Sequence, residues 1–219
     1  MGFQPDAPIQ GVPYARYIGI GGIAILLVVL VVVLVSKPKV LTGVRPGAQV
    51  PGFAVPLATG DVKGAADTAV HANEGARGRV PACKERGAGI LNICELYERG
   101  PVVLALFIDE GSCAKVLPEM QAAARRFPAV SFAAVAIKAQ HAEARHLVDH
   151  EKLTIPVGFD EEGALAALYT FISCPQLSFV YPGGVMQSRA LLQTPSPAQL
   201  NARVGRLLAA SRARGWRPR

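Results

Sequence analysis

The stretch Val102-Val103-Leu104-Ala105-Leu106-Phe107-Ile108-Asp109-Glu110-Gly111-Ser112-Cys113-Ala114-Lys115-Val116-Leu117-Pro118-Glu119-Met120 decides the fold. It opens with an unbroken apolar run from Val102 to Ile108, the pattern of a strand covered on both faces. Asp109 to Ser112 interrupts that run, and Cys113 then opens a helix expected to reach Phe127. The alternation repeats downstream. Val130 to Ile137 predicts a second buried strand, residues 139–151 a polar helix, Ile155 to Phe159 a short strand, and Glu161 to Thr170 an Ala/Leu helix. Leu177 to Tyr181 and Val185 to Leu192 flank Pro182-Gly183-Gly184 as a hairpin. Ser196 and Pro197 start a last helix whose apolar face is Leu200, Val204, Leu207 and Leu208. Strand, helix, strand and helix, closed by a hairpin and a helix, predict an α/β fold: a mixed sheet covered by helices on both faces.

Upstream the pattern weakens. Pro51 to Leu57 reads as an edge strand, because its prolines exclude a central position. Residues 58–100 are glycine-rich and poorly periodic, and are expected to form a loop-rich insertion in a domain spanning 51–212. Residues 36–50 read as a linker, 1–16 as a tail without structure, and 213–219 as a basic C-terminal tail.

Between tail and linker lies an expected transmembrane helix, residues 17–35. The run Ile18–Val35 holds no charged residue and almost only Ile, Leu, Val and Gly. At ~1.5 Å per residue it comes close to the ~30 Å hydrocarbon core of a bilayer. A buried core helix would show a polar stripe. A secretory leader would have a shorter run and a small-residue cleavage site, where this chain has Ser36-Lys37-Pro38-Lys39. The flanking charges are Arg16 before it and Lys37, Lys39 and Arg45 after it, which by the positive-inside rule would place the domain in the cytosol.

The formal net charge is +7, with Arg203, Arg206, Arg212, Arg214, Arg217 and Arg219 crowded at the C-terminus. A solvated helix face accounts for them, and so would contact with anionic headgroups, with Trp216 at the interface. No motif or aromatic-studded basic surface points to nucleic acid. His141, His146 and His150 fall on the polar helix after the second strand and read as a solvated face. No metal site and no cofactor are expected.

Four cysteines carry the remaining chemistry. Cys113 follows a buried strand and begins a helix, where free N–H groups and the helix dipole stabilise a thiolate. Lys115 adds to this effect, while Asp109 and Glu110 oppose it. Cys83 and Cys94 bound a short glycine-containing loop and are expected to form a structural disulfide. The alternative is two free thiols in a reducing compartment.

Phe107 to Met120 resembles the thioredoxin-like superfamily, in particular membrane-tethered disulfide reductases and the alkyl hydroperoxide reductase/thiol-specific antioxidant (redoxin) group. In those reductases four residues separate the second cysteine of a C-x-x-C from a proline that kinks the helix; Cys113 and Pro118 keep that spacing, so Cys113 matches the second cysteine. Glu110 stands where the first cysteine would be, giving a degenerate E-x-x-C. Ser173-Cys174-Pro175-Gln176 resembles the family's cis-proline segment, and Pro51-Gly52-Phe53 its opening strand. The peroxidase motif P-x-x-x-T/S-x-x-C is unmatched, since Glu110 replaces its Thr or Ser. The resemblance implies a thiol–disulfide oxidoreductase or thiol-dependent peroxidase with a thiol/disulfide protein or a peroxide as substrate. It implies that Cys174, carried beside Cys113 by a cis-proline, replaces the missing cysteine as redox partner. Pro175, Glu110 and Ser112 are then the substrate-contacting residues. Disulfide pairs of this kind favour an extracytoplasmic domain, against the flanking lysines. The competing expectation is a thioredoxin-fold binding module of the cell envelope without catalysis.

Overall fold

The computed structural model describes residues 22, 25–31, 43–62 and 80–218. The chain divides into two units, Met1–Val40 and Leu41–Arg219. In the first, residues 22 and 25–31 are helical, and the side chains of Ile25 through Val31 are 52% to 70% exposed. Among the described residues no helix is long and apolar enough to cross a membrane. Most of the expected span 17–35 lies outside them, as does the expected tail 1–16.

The second unit is built on β3 (Val102–Phe107), whose six residues are all fully buried. β4 (Ser131–Ile137) pairs with it in parallel and β6 (Gln176–Val180) pairs antiparallel on its other edge. β5 (Val157–Asp160) lies parallel to β4, so the sheet order is β5-β4-β3-β6. Side chains alternate across a strand. Val103, Ala105 and Phe107 therefore join one core with Leu117 and Met120 of α2 (Val116–Arg126), Leu147 of α3 (His141–His150), and Val204 and Leu207 of α5 (Pro197–Ala213). Val102, Leu104 and Leu106 join the opposite core with Phe53, Ile93 of α1 (Ile93–Arg99), and Leu165 of α4 (Ala164–Leu168). The unbroken apolar run of β3 is the sequence trace of these two cores.

Several boundaries differ from the sequence reading, each for a local reason. The helix expected from Cys113 begins as a 3-10 turn, Cys113–Lys115, before α2. Pro118 then falls in the first α-helical turn, where a missing N–H costs no intrahelical bond. The helix expected from Glu161 starts at Ala164, because the buried Asp160 carboxylate accepts N–H bonds from Gly163 and Leu165 at 3.0 and 2.8 Å. The second arm of the expected hairpin is not a regular strand: it touches β6 only through the bridges Val180–Met186 and Leu177–Leu191. Within the stretch read as loop-rich, β2 (Ile90–Asn92) pairs with β1 (Ala54–Pro56) and leads into α1.

The basic tail has structure as well. Gly215, at φ +90°, donates its N–H to Arg212 O, and Trp216 donates to Ser211 O. This is a Schellman C-cap. Trp216 lies against Gly100, where an added Cβ would come within 2.9 Å of the indole.

Candidate functional site

The register of the central sheet builds the site. Leu106 faces Gln176 and Ala105 faces Leu177 across the antiparallel β3–β6 pair. Continuing that register by two positions sets Ile108 opposite Cys174. The Ile108 N–H donates to Cys174 Sγ at 3.2 Å. Beyond Ile108 the chain turns through residues 109–112 and delivers Cys113 at the start of its helix. Cys113 and Cys174 are disulfide-bonded with Cα atoms 5.3 Å apart, inside the ~4.4–6.8 Å range for such bonds.

The segment around Cys174 is fixed from both sides. Ser173 Oγ donates to Leu192 O at 2.8 Å, and Gln176 Nε2 donates to Tyr169 O at 2.9 Å. The Cys174–Pro175 peptide bond is cis. Pro175 is buried, the two cysteines are half-buried, and Glu110 and Ser112 are exposed. Glu110 offers its carbonyl to the Cys113 N–H and Ser112 its carbonyl to the Lys115 N–H, at 3.2 and 3.3 Å. Those two residues thus shape the turn that presents Cys113. Ile172, two residues before Cys174, is 51% exposed. The site is a surface disulfide at the end of the central strand, able to be opened by an incoming thiolate.

Cys83 and Cys94 are also disulfide-bonded, with Cα atoms 5.4 Å apart. Gly52 makes room for this bond: a Cβ there would lie 2.7 Å from Cys83 Sγ and 3.3 Å from Cys94 Sγ. Asn92, which the sequence reading missed, ties both halves together. Its Oδ1 accepts from Cys94 N at 2.8 Å and Glu95 N at 3.4 Å, and its Nδ2 donates to Ala82 O and Glu85 O, each at 2.8 Å. An Asn directly before a helical stretch is an N-cap signal, and that signal was present at Asn92-Ile93-Cys94-Glu95. Arg86 adds a two-pronged pair with Glu98 at 2.7 and 2.9 Å, which holds that carboxyl below its usual range.

The histidines stand apart from both bonds. His141 stacks on Phe159 with ring centroids 4.9 Å apart, and its Nε2 lies 3.1 Å from Ala58 O. His146 and His150 stack on one another. Among the described residues no group of three or more His, Cys, Asp or Glu is placed to hold a metal.

No family model and no curated protein matches the chain. Solved structures do. A provisionally named thiol:disulfide interchange protein DsbE from Chlorobium tepidum is 16% identical, with a TM-score of 0.56, covering 77% of this chain and 98% of its own. The peroxidoxin BcpB from Mycobacterium tuberculosis is 15% identical, with a TM-score of 0.53, over 77% and 97%. The thioredoxin domain of a thiol-disulfide oxidoreductase from Bacteroides vulgatus is 10% identical, with a TM-score of 0.55, over 75% and 99%. At such identities the likeness carries the fold: it is thioredoxin-like.

Proposed function

We propose that this chain is a membrane-tethered thiol–disulfide oxidoreductase whose redox pair is Cys113 and Cys174, with its domain on the extracytoplasmic side. The observation that carries this reading is the pairing of those two cysteines, 5.3 Å apart at Cα, at the end of the central strand. Glu110 occupies the place of a first C-x-x-C cysteine, so the dithiol is assembled across two elements.

In the reduced chain one cysteine thiolate attacks a sulfur of the substrate disulfide. The substrate S–S bond breaks, one substrate sulfur leaves as thiolate, and a mixed disulfide forms. The second cysteine, after losing its proton to solvent, attacks the mixed disulfide. It releases the other substrate thiol and closes the 113–174 bond. Two electrons pass to the substrate, and an external dithiol returns them by reopening the bond. A peroxide would be handled through a sulfenic acid, resolved by the second cysteine with loss of water. Glu110, in place of the Thr or Ser of the peroxidase motif, supports the disulfide as the better substrate.

The apolar run Ile18–Val35 supports the tether. Labelling of the cysteines in intact cells, after reduction, tests the orientation: an impermeant reagent should reach Cys113 and Cys174.

Dithiol-driven turnover of a small aromatic disulfide and of hydrogen peroxide tests the function. Wild type should reduce the disulfide faster than the peroxide, and Cys113→Ser and Cys174→Ser should each fall to the uncatalysed rate. Absence of turnover together with absence of a 113–174 redox couple would leave the second reading, a binding module, which the loss of the first cysteine favours.

A further inference from the structure

We infer that one flank of α5 docks on anionic lipid headgroups. After Glu162 the chain contains no Asp or Glu, yet it carries Arg189, Arg203, Arg206, Arg212, Arg214, Arg217 and Arg219. Of the earlier described arginines, Arg86 pairs with Glu98 at 2.7 Å, Arg99 with Glu95 at 3.6 Å and Arg145 with Asp61 at 3.5 Å, while Arg45, Arg125 and Arg126 form no ion pair. Among the described residues none of Arg189, Arg203, Arg206, Arg212, Arg214 and Arg217 forms an ion pair.

Three of these share a side of the helix. Arg203 and Arg206, with Arg214 at the C-cap, stand at i, i+3 and i+11, a row about 16 Å long at ~1.5 Å rise per residue. Arg203 Nη1 donates to Ser188 Oγ at 3.4 Å, which brings the turn bearing exposed Arg189 beside the row. Beside Arg203 and Arg206 the surface is concave, lined by Gln193, Pro195 and Gln199. The planar guanidinium forks of such arginines fit phosphate oxygens two at a time.

The occupant is a lipid surface for two reasons. A single-stranded nucleic acid would want exposed rings for stacking, but Trp216 lies against Gly100, and Tyr181 is covered by the Arg214 guanidinium 4.1 Å from its centroid. The run Ile18–Val35, on the tether reading above, keeps a bilayer within reach of the linker 36–50 and so raises the local headgroup concentration.

Trp216 is the sole tryptophan of the chain and serves as the donor for the test. The full chain is placed in nanodiscs carrying a dansyl-labelled headgroup, made either of phosphatidylcholine alone or with added phosphatidylglycerol. Energy transfer from Trp216 should be higher in the anionic discs. It should drop to the neutral-disc level with added salt, which screens exposed charge, and in R203Q/R206Q/R214Q, while R203K/R206K/R214K keeps most of it. Circular dichroism of both variants reports the fold, and a loss of transfer counts only with the spectrum unchanged. Should the glutamine variant unfold, R189Q/R206Q is read in the same way. Equal transfer in the two disc types, or transfer indifferent to these substitutions, overturns the proposal. Failure to enter discs would instead refute the tether. Salt-sensitive co-sedimentation of the same chain with phosphatidylglycerol vesicles then decides the docking, and binding to single-stranded DNA but not to vesicles overturns it.

Discussion

Asn92 is 2% exposed, yet both its side-chain donor and its acceptor are used twice. Asn92→Ala would leave the Cys94 and Glu95 N–H groups without their side-chain acceptor beside the Cys83–Cys94 bond. It would also remove one donor each from Ala82 O, which keeps the Glu85 N–H at 3.1 Å, and from Glu85 O. A buried group left unmatched costs ~1–3 kcal/mol, and water entering the opened site offsets part of the total. The expected loss is about 3 kcal/mol, read from urea unfolding of the oxidised protein. Gly52 poses the opposite problem of added bulk. Gly52→Ala should push the disulfide out of place and destabilise by about 1–3 kcal/mol, the usual cost of overpacking, and the cost should shrink in a Cys83→Ser, Cys94→Ser background. Tyr169 adds a pH dependence. Its buried hydroxyl donates to Pro51 O at 2.7 Å, and burial pushes its phenol well above the ordinary value. An unfolded tyrosine ionises near pH ~10 while the folded one stays protonated, so the native state holds the extra proton. Stability is therefore complete below that pH and falls as pH rises further. Tyr169→Phe should flatten this alkaline decline, at a neutral-pH cost of about 1 kcal/mol for the lost hydrogen bond.

At the scale of elements, legibility followed the range of the pairing. β3 and β4 were readable because two-sided burial leaves continuous apolar runs, and α5 because Ser196 caps it and Pro197 starts it. β1 fell within the edge strand read at Pro51–Leu57, whereas β2 is three residues held by a partner more than thirty positions away and leaves no period to detect. The candidate site was legible through Cys113, Cys174 and Pro175. The Ile108 N–H was not, because a backbone donor has no sequence signature and emerges only from the β3–β6 register. That donor has a measurable consequence: an N–H aimed at sulfur favours the thiolate. In Cys113→Ser, Cys174 should be alkylated by iodoacetamide faster at neutral pH than an exposed model thiol. A rate no higher than that of the model thiol would show that the contact does nothing for reactivity.

On the scale of the whole molecule the two disulfides should behave differently, although chain entropy alone ranks them the other way. They close stretches of 11 and 61 residues, for which loop closure alone gives about 3 and about 4 kcal/mol of stabilisation. A bond that stabilises the native fold strongly is, by linkage, correspondingly hard to reduce. A bond that must open and close in turnover therefore has to leave the folded state nearly as stable when reduced. The Cys83–Cys94 bond, set against Gly52 and flanked by the Asn92 clamp, carries no such requirement. Urea midpoints of the Cys83→Ser, Cys94→Ser protein, compared with and without reductant, isolate the 113–174 bond. The Cys113→Ser, Cys174→Ser protein isolates the other. Reduction should cost the first well under its ~4 kcal/mol entropic figure and the second close to its ~3 kcal/mol. The reverse order would mark 113–174 as a structural brace and remove the thermodynamic basis for turnover at that pair.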